Sequence, residues 1–247
     1  MECRLIFNEP ADGAWNMALD ESLLESADRA GQGGCLRFYF WNEPTLSLGY
    51  FQCYADRQTH AASRDCPLVR RATGGGAIVH DRELTYSFTT GVQTHVRGGL
   101  TDYYAAFHGT LIQELAERGI VARLCLAPLP RKREEEPFLC FRRRAEGDVL
   151  LGDSKIAGSA QRRRRGALLQ HGSVLLQRST AAPELAGIAE LSSLVLDPKE
   201  LAECWARRVA ANLGLTLRSD SPTGRETEAA ERICGSQYAH SGWTNRR

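Results

Sequence analysis

Apolar positions along this chain follow two rhythms, one of 3.6 residues and one of two, and together they predict its helices and strands. Trp15, Leu19, Leu23 and Ala27 recur on one helical face behind Asp12, which predicts a first, core-facing helix over 12–29 capped by that aspartate. Tyr104, Leu111 and Leu115 predict a second, inward-facing helix from Asp102 to Arg118, entered through Thr101 and stopped by Gly119. A third follows Asp197-Pro198, a cap with proline in the first turn, and its stripe of Leu201, Trp205, Val209 and Leu213 ends before Gly214. Thr227 to Tyr238 adds a helix to an otherwise polar tail that starts near Ser219.

Strand composition marks 36–41 and 45–50, separated by the turn-like Asn42-Glu43-Pro44, and these are expected to form a hairpin. Residues 77–80 and 84–90 predict a second pair of strands around Asp81-Arg82-Glu83, and 148–151, 155–160 and 168–176 predict three more, with Gly152-Asp153-Ser154 as a turn. The order predicts an α+β layer rather than a regular βαβ repeat. Without repeats or low-complexity tracts, residues 1–247 read as a single domain. Arg131-Lys132-Arg133, Glu134-Glu135-Glu136 and Pro137 read as a solvated loop that leads into Cys140.

Composition narrows the partners only a little. A net charge of +1 gives no global argument for nucleic acid or membrane. The N-terminus lacks the apolar core of a signal peptide, and no run approaches the ~20 apolar residues that span a bilayer, so a cytoplasmic protein is expected. Eight cysteines stand at 3, 35, 53, 66, 125, 140, 204 and 234 with no Cys-x-x-Cys pair, which argues against a structural metal site and for small core residues in a reducing compartment. Only Lys132, Lys155 and Lys199 are lysines, which singles out Lys155.

Candidate chemistry gathers around a few segments. Gly74-Gly75-Gly76 directly precedes an apolar strand; a phosphate loop would need Gly-Lys-Ser/Thr and a dinucleotide fingerprint would open a helix, so the glycines are read as a backbone wall along an acyl chain or a carbonyl. Lys155 enters a strand beside Gly158 and Ser159, where an ammonium near a thiol would stabilise the attacking thiolate. Cys140, in Pro137-Phe138-Leu139-Cys140-Phe141, is either that thiol or a small buried residue. His80 and His171 either polarise a carbonyl or serve as hydrogen-bonded structural residues. The arginine runs 142–144 and 162–165 are solvated faces or a surface that steers an acidic protein such as an acyl carrier.

Taken in order, several segments resemble the lipoate-protein ligase and octanoyltransferase family, whose fold is related to the catalytic domain of biotin-protein ligases. They are Asn16 to Glu21, Pro44 to Gln52, Arg70 to Asp81, Leu84 to Ser87, Lys155 to Gln161 and Gln170 to Ser173, with the ending Tyr238 to Arg247 resembling the octanoyltransferase branch. The resemblance implies a mixed, largely antiparallel sheet flanked by helices, like the class II aminoacyl-tRNA synthetases. It places the branch's cysteine at Cys140, in a Cys-Phe pair ahead of the Lys-Ile-x-Gly-Ser-Ala-Gln segment; the following Arg142 to Glu146 is more basic than the family's pattern.

Its implied activity is octanoyl transfer from octanoyl-acyl carrier protein to a lysine of a lipoyl-domain protein, such as glycine cleavage H protein or 2-oxoacid dehydrogenase E2. Cys140 would carry the acyl thioester, and Lys155 would favour its thiolate and move protons. Arg71, Gly74, Gly75, Gly76, His80, Gly158, Ser159, Ala160, Gln161, His171 and Gly172 would bind the acyl group. No metal or cofactor is required in this reading. The alternatives are an ATP- and Mg2+-dependent lipoate ligase, which forms an adenylate, uses Lys155 for binding and needs no nucleophilic cysteine; an amidotransferase between two lipoyl domains; and a non-catalytic binder of acylated carriers. A chain of this length is also expected to lack the accessory C-terminal domain common in bacterial ligases.

Overall fold

A computed structural model describes residues 1–30, 33–91, 100–127 and 136–246. From the N-terminus the chain runs through β1 (Glu2–Phe7), α1 (Gly13–Ala30), β2 (Gly34–Tyr39), β3 (Thr45–Leu48), β4 (Leu68–Arg70), β5 (Ile78–His80) and β6 (Glu83–Gly91). It continues through α2 (Leu100–Ala116), β7 (Ala122–Leu124), β8 (Val149–Leu151), β9 (Ser154–Arg164) and β10 (Ala167–Leu175). The last part holds α3 (Ile188–Ser192), α4 (Pro198–Leu213), β11 (Thr216–Ser219), α5 (Gly224–Ile233) and α6 (Ser241–Thr244).

Eight strands form one sheet in the order β11-β1-β2-β6-β10-β9-β8-β7, and β4-β3-β5 form a second. In the large sheet β1 runs parallel to β11 and β2, while every pair from β2 through β7 is antiparallel. The fold is therefore α+β with a largely antiparallel sheet.

The expected hairpin does not form, and the second pair of strands is divided between the two sheets. β2 lies between β1 and β6, whereas β3 lies in the small sheet between β4 and β5. β5 likewise pairs with β3, setting His80 opposite Thr45, while β6 joins the large sheet. All of Gly34–Tyr39 is buried, so β2 needs neighbours on both edges and cover on both faces. Asn42-Glu43-Pro44 and Asp81-Arg82 are corners where the chain changes sheets, and corner and hairpin share the same turn residues. β1, β4, β7 and β11 are strands the sequence pattern did not announce.

The helices follow their caps closely. Asp12 Oδ1 accepts from Trp15 N at 2.8 Å, and Asp197 Oδ1 accepts from Glu200 N at 2.8 Å. Gly119 and Gly214 take left-handed backbone at φ +76° and +64°, ending α2 and α4 as expected. α2 is described from Leu100, with Thr101 inside it rather than before it. Tyr103 rather than Tyr104 enters the core, its ring 5.3 Å from Phe88. Trp205 on α4 is fully buried against Phe107, Tyr86 and Phe38, and its indole N–H reaches Phe107 O and Thr110 Oγ1, each at 3.1 Å.

The polar residues after Ser219 pack rather than trail. The expected 227–238 helix is α5, followed by a π turn over Cys234–Tyr238. α5 docks on α1, where Glu226 O accepts from Ser22 Oγ at 2.7 Å and Tyr238 OH donates to Glu21 Oε2 at 3.0 Å. The 162–165 run is partly a strand face: β9 extends through Arg164, and Arg162 and Arg164 pair with Glu21 on α1. Arg165 and Gly166 close the β9–β10 hairpin with positive φ at both positions, the geometry of a two-residue primed turn.

Candidate active site

Where the small sheet meets β9 and β10, a cavity of about 330 Å³ opens. Arg71, Gly74, Gly75, His80, Cys140, Lys155, Gly158, Ser159, Ala160, Gln161, His171 and Gly172 all line it, so residues scattered over a hundred positions converge. Gly76 alone of the expected set does not. It lies behind the cysteine, where a Cβ would stand 3.1 Å from Cys140 Cα and 2.9 Å from Arg143 Nε.

The glycine loop is shaped from below by Arg71. Its buried guanidinium donates to Ser47 O at 2.9 Å, Gly74 O at 2.9 Å and Gly76 O at 2.6 Å. Burial and the nearby Arg143 lower its pKa to about 10, which leaves it cationic at neutral pH. Arg71 thus holds the backbone wall. Gly75 adopts φ +95°, and its carbonyl rests so close to Gly49 that a Cβ there would come within 2.1 Å of the oxygen.

Cys140 opens a one-turn 3-10 helix over Cys140–Arg142. Its N–H donates to Ala77 O at 2.7 Å, Ala77 N–H donates to Phe138 O at 3.0 Å, and Cys140 O accepts from Arg143 N at 2.9 Å. The Phe138–Cys140 stretch is therefore stitched to the residue that follows the glycines, while the charged residues 131–135 expected as a solvated loop lie outside the described ones. Cys140 Sγ, half-buried, lies 3.8 Å from Lys155 Nζ. Buried thiols elsewhere are poor candidates for this chemistry: burial pushes Cys3 and Cys35 up to about 12.

Lys155 and Asp148 form a buried ion pair, Nζ to Oδ2 at 2.9 Å, and the ammonium also stands 5.3 Å from the Phe141 ring centroid. The small residues here make room. A Cβ on Gly158 would lie 2.5 Å from Lys155 Cε, and one on Gly172 would lie 2.5 Å from Ser159 Oγ.

Both histidines are held by carboxylates. His171 Nε2 meets Thr73 Oγ1 at 2.7 Å and Nδ1 meets Asp20 Oδ2 at 3.3 Å, so the ring ties the glycine loop to α1. Burial alone would raise the Asp20 pKa, but His171 and Arg37, the latter at 2.7 Å, hold it below the usual carboxylate range. His80 Nδ1 bonds Glu83 Oε1, and its ring stacks on Trp41 with centroids 3.9 Å apart. Its Nε2, buried, has no hydrogen-bond partner among the described residues.

Sequence reasoning missed Asp148, Glu83, Asp20 and His108 as residues around this site. Glu83 sits in a turn-like triplet and accepts from Thr85 Oγ1 and Ser173 Oγ at 2.6 and 2.9 Å. Asp148 was detectable only through the pairing of β8 with β9, which sets Leu150 opposite Lys155. His108, inside α2, carried no local signal.

The sequence pattern of the lipoyl protein ligase A/B catalytic domain matches residues 12–213. The octanoyltransferase LipM of Symbiobacterium thermophilum is 32% identical over 270 residues, covering 99% of this chain and 98% of that protein. That of Kyrpidia tusciae is 30% identical over 271 residues, with coverage of 99% and 98%. Among solved structures, a bipartite lipoate protein ligase studied with its E2 lipoyl domain, from Thermoplasma acidophilum, superposes with a TM-score of 0.77 at 22% identity, covering 99% of this chain and 96% of that one. At that identity it speaks to the fold, which it shares. No helix among the described residues is long and apolar enough to cross a membrane. Aligned with these relatives along nearly its whole length, the chain belongs to the lipoyl protein ligase A/B catalytic domain family and is an acyltransferase.

Proposed function

We propose that this acyltransferase moves octanoyl from octanoyl-acyl carrier protein to a lysine of a lipoyl-domain protein through a thioester on Cys140. The observation that carries the reading is the 3.8 Å approach of Cys140 Sγ to Lys155 Nζ at the wall of an acyl-sized cavity. Octanoyl transfer is the activity of the LipM relatives, and a lipoyl domain is the companion of the Thermoplasma ligase.

In the first half-reaction Cys140 thiolate attacks the donor thioester carbonyl while Lys155 holds the proton. β8 pairs with β9 only as far as Ala157, so no neighbouring strand takes up the N–H groups of Gly158 to Ala160 that face away from β10, and these would receive the tetrahedral oxyanion. The carrier thiolate leaves with the proton of Lys155. In the second, the acceptor amine attacks the Cys140 thioester, Lys155 takes its proton, and Cys140 departs as thiolate. One lysine thereby serves both halves and returns to its starting state.

The acyl chain runs from Cys140 toward His80. Cys140 is bonded to Ala77, and His80 lies three residues farther on, at the end of β5, about 10 Å at strand rise and the reach of an eight-carbon chain. Arg71, Gly74 and Gly75 form one wall of that path, and Gly172 and Ser173 another.

The test is transfer to an isolated lipoyl domain, followed by intact mass. Octanoyl-acyl carrier protein without ATP should modify the domain with wild type and not with Cys140→Ala. Modification only from free octanoate or lipoate with ATP, accompanied by pyrophosphate and indifferent to Cys140→Ala, would replace the transferase with a ligase.

A further inference from the structure

We propose that His108 is the positioning residue that sets Lys155 against Cys140, by tying the loop that carries Asp148 to the strand that carries Lys155. Resting on the transfer chemistry above only for the use made of Lys155, the proposal stands on a buried ring whose two nitrogens grip two different elements.

His108 projects from α2 and is 2% exposed. Its Nδ1 lies 2.5 Å from Gly147 O and its Nε2 2.7 Å from Ser159 Oγ. A carbonyl can only accept, so Nδ1 carries the proton and Nε2 accepts from the Ser159 hydroxyl. The polarity continues without conflict. Ser159 Oγ accepts from Tyr86 OH at 2.7 Å, Tyr86 OH accepts from Gln170 Nε2 at 2.9 Å, and Gln170 Oε1 accepts from Gln161 Nε2 at 2.7 Å. Burial lowers the His108 pKa and keeps the ring in the neutral form that this chain of bonds requires.

Gly147 precedes Asp148, and Ser159 follows Gly158, the glycine whose missing Cβ leaves room for Lys155 Cε. The imidazole therefore spans the gap that the Asp148–Lys155 ion pair closes at 2.9 Å. The tie falls where the β8–β9 ladder is irregular: Leu150 faces Lys155 and Val149 faces Ala157, which leaves Ile156 as the extra residue directly after Lys155. Its other anchors include Gly147 N to Cys125 O at 2.9 Å, Cys125 N to Asp148 O at 2.8 Å and Ala145 N to Asp148 Oδ2 at 2.7 Å, which fix the loop to the residue after β7 and to itself. Among these anchors, only His108 connects it to Ser159.

The readout is the rate at which iodoacetamide alkylates Cys140 at neutral pH, followed on the Cys140 peptide by mass, so it does not depend on octanoyl being the substrate. Wild type, His108→Ala, His108→Asn, Lys155→Ala and the His108→Ala/Lys155→Ala double variant are compared, each with its melting temperature. His108→Ala is expected to slow alkylation about tenfold, in line with losing two buried hydrogen bonds. In the Lys155→Ala background it should add nothing, because the ring acts through that lysine. Asn, whose amide replaces Nδ1 against Gly147 O, should restore most of the rate and serves as the test if the alanine variant unfolds. Equal slowing by His108→Ala with and without Lys155, or no slowing by either His108 variant, overturns the proposal. Loss of octanoyl transfer with the alkylation pattern intact would overturn the substrate reading instead.

Discussion

Gly158→Ala is the smallest change that should separate folding from catalysis. The added methyl would lie 2.5 Å from Lys155 Cε and 2.8 Å from Nζ, with Asp148 Oδ1 at 3.1 Å. Ordinary contact begins at 3.4 Å, so Cε must retreat by 3.4 − 2.5 = 0.9 Å. What it strikes is the far end of a flexible side chain, so the fold should yield by no more than about 1 kcal/mol. Catalysis has no such freedom: displacing a reacting group by ~1 Å costs on the order of a hundredfold. The amine would leave its place between Asp148 and Cys140. Single-turnover octanoyl transfer, with thermal unfolding measured alongside, should show that loss in a protein melting within a few degrees of wild type. Transfer within threefold of wild type would refute the role given to Lys155, and wholesale unfolding would refute the packing assigned to Gly158.

Three other outcomes follow from the same geometry. Gly49→Ala should behave oppositely, because its methyl meets the backbone carbonyl of Gly75 at 2.1 Å; melting temperature and activity should fall together, and a stable, active variant would contradict the loop conformation. Asp20→Asn leaves the buried Arg37 charge without its carboxylate, though Asn8 and Asn16 still accept from it, and should cost about 3 kcal/mol at neutral pH in urea unfolding. Since folding holds the Asp20 pKa down, its stabilisation is present above the ordinary value near 3.8 and fades as pH falls through the lowered folded value, so wild type and variant should converge in acid. His80→Ala removes the ring stacked on Trp41 and should raise transfer of decanoyl relative to octanoyl in a chain-length series; an unchanged ratio would place the end of the chain elsewhere.

How much of this was legible in the sequence depended on how local each cause is. Helix caps such as Asp197-Pro198 and stops such as Gly119 act within one turn, and they appear where the pattern put them. Gly74, Gly75, Gly158 and Gly172 were visible as small residues in suggestive company. Their steric reasons were not: Gly75 makes room for the Arg71 staple, Gly158 for the Lys155 side chain folding back over it, and Gly172 for Ser159 on the neighbouring strand. Pairing partners were misread at Asn42-Glu43-Pro44 because a turn's composition does not say whether the next strand returns to the same sheet. Arg71 illustrates the same limit: its neighbourhood marked a site, but only the fold shows its guanidinium spent on Ser47, Gly74 and Gly76 carbonyls. His108 and Asp148 were invisible because their partners, Ser159 and Lys155, are supplied by tertiary packing across helix, loop and strand.

Whether the acyl group passes through Cys140 is decided most directly by the intact mass of the protein after incubation with octanoyl-acyl carrier protein and no ATP, for wild type and Cys140→Ala. The account predicts a gain of one octanoyl group (~126 Da on thioester formation) in wild type alone, removed on adding a lipoyl domain. An unmodified wild type that still transfers octanoyl, or an equal adduct on Cys140→Ala, would contradict it.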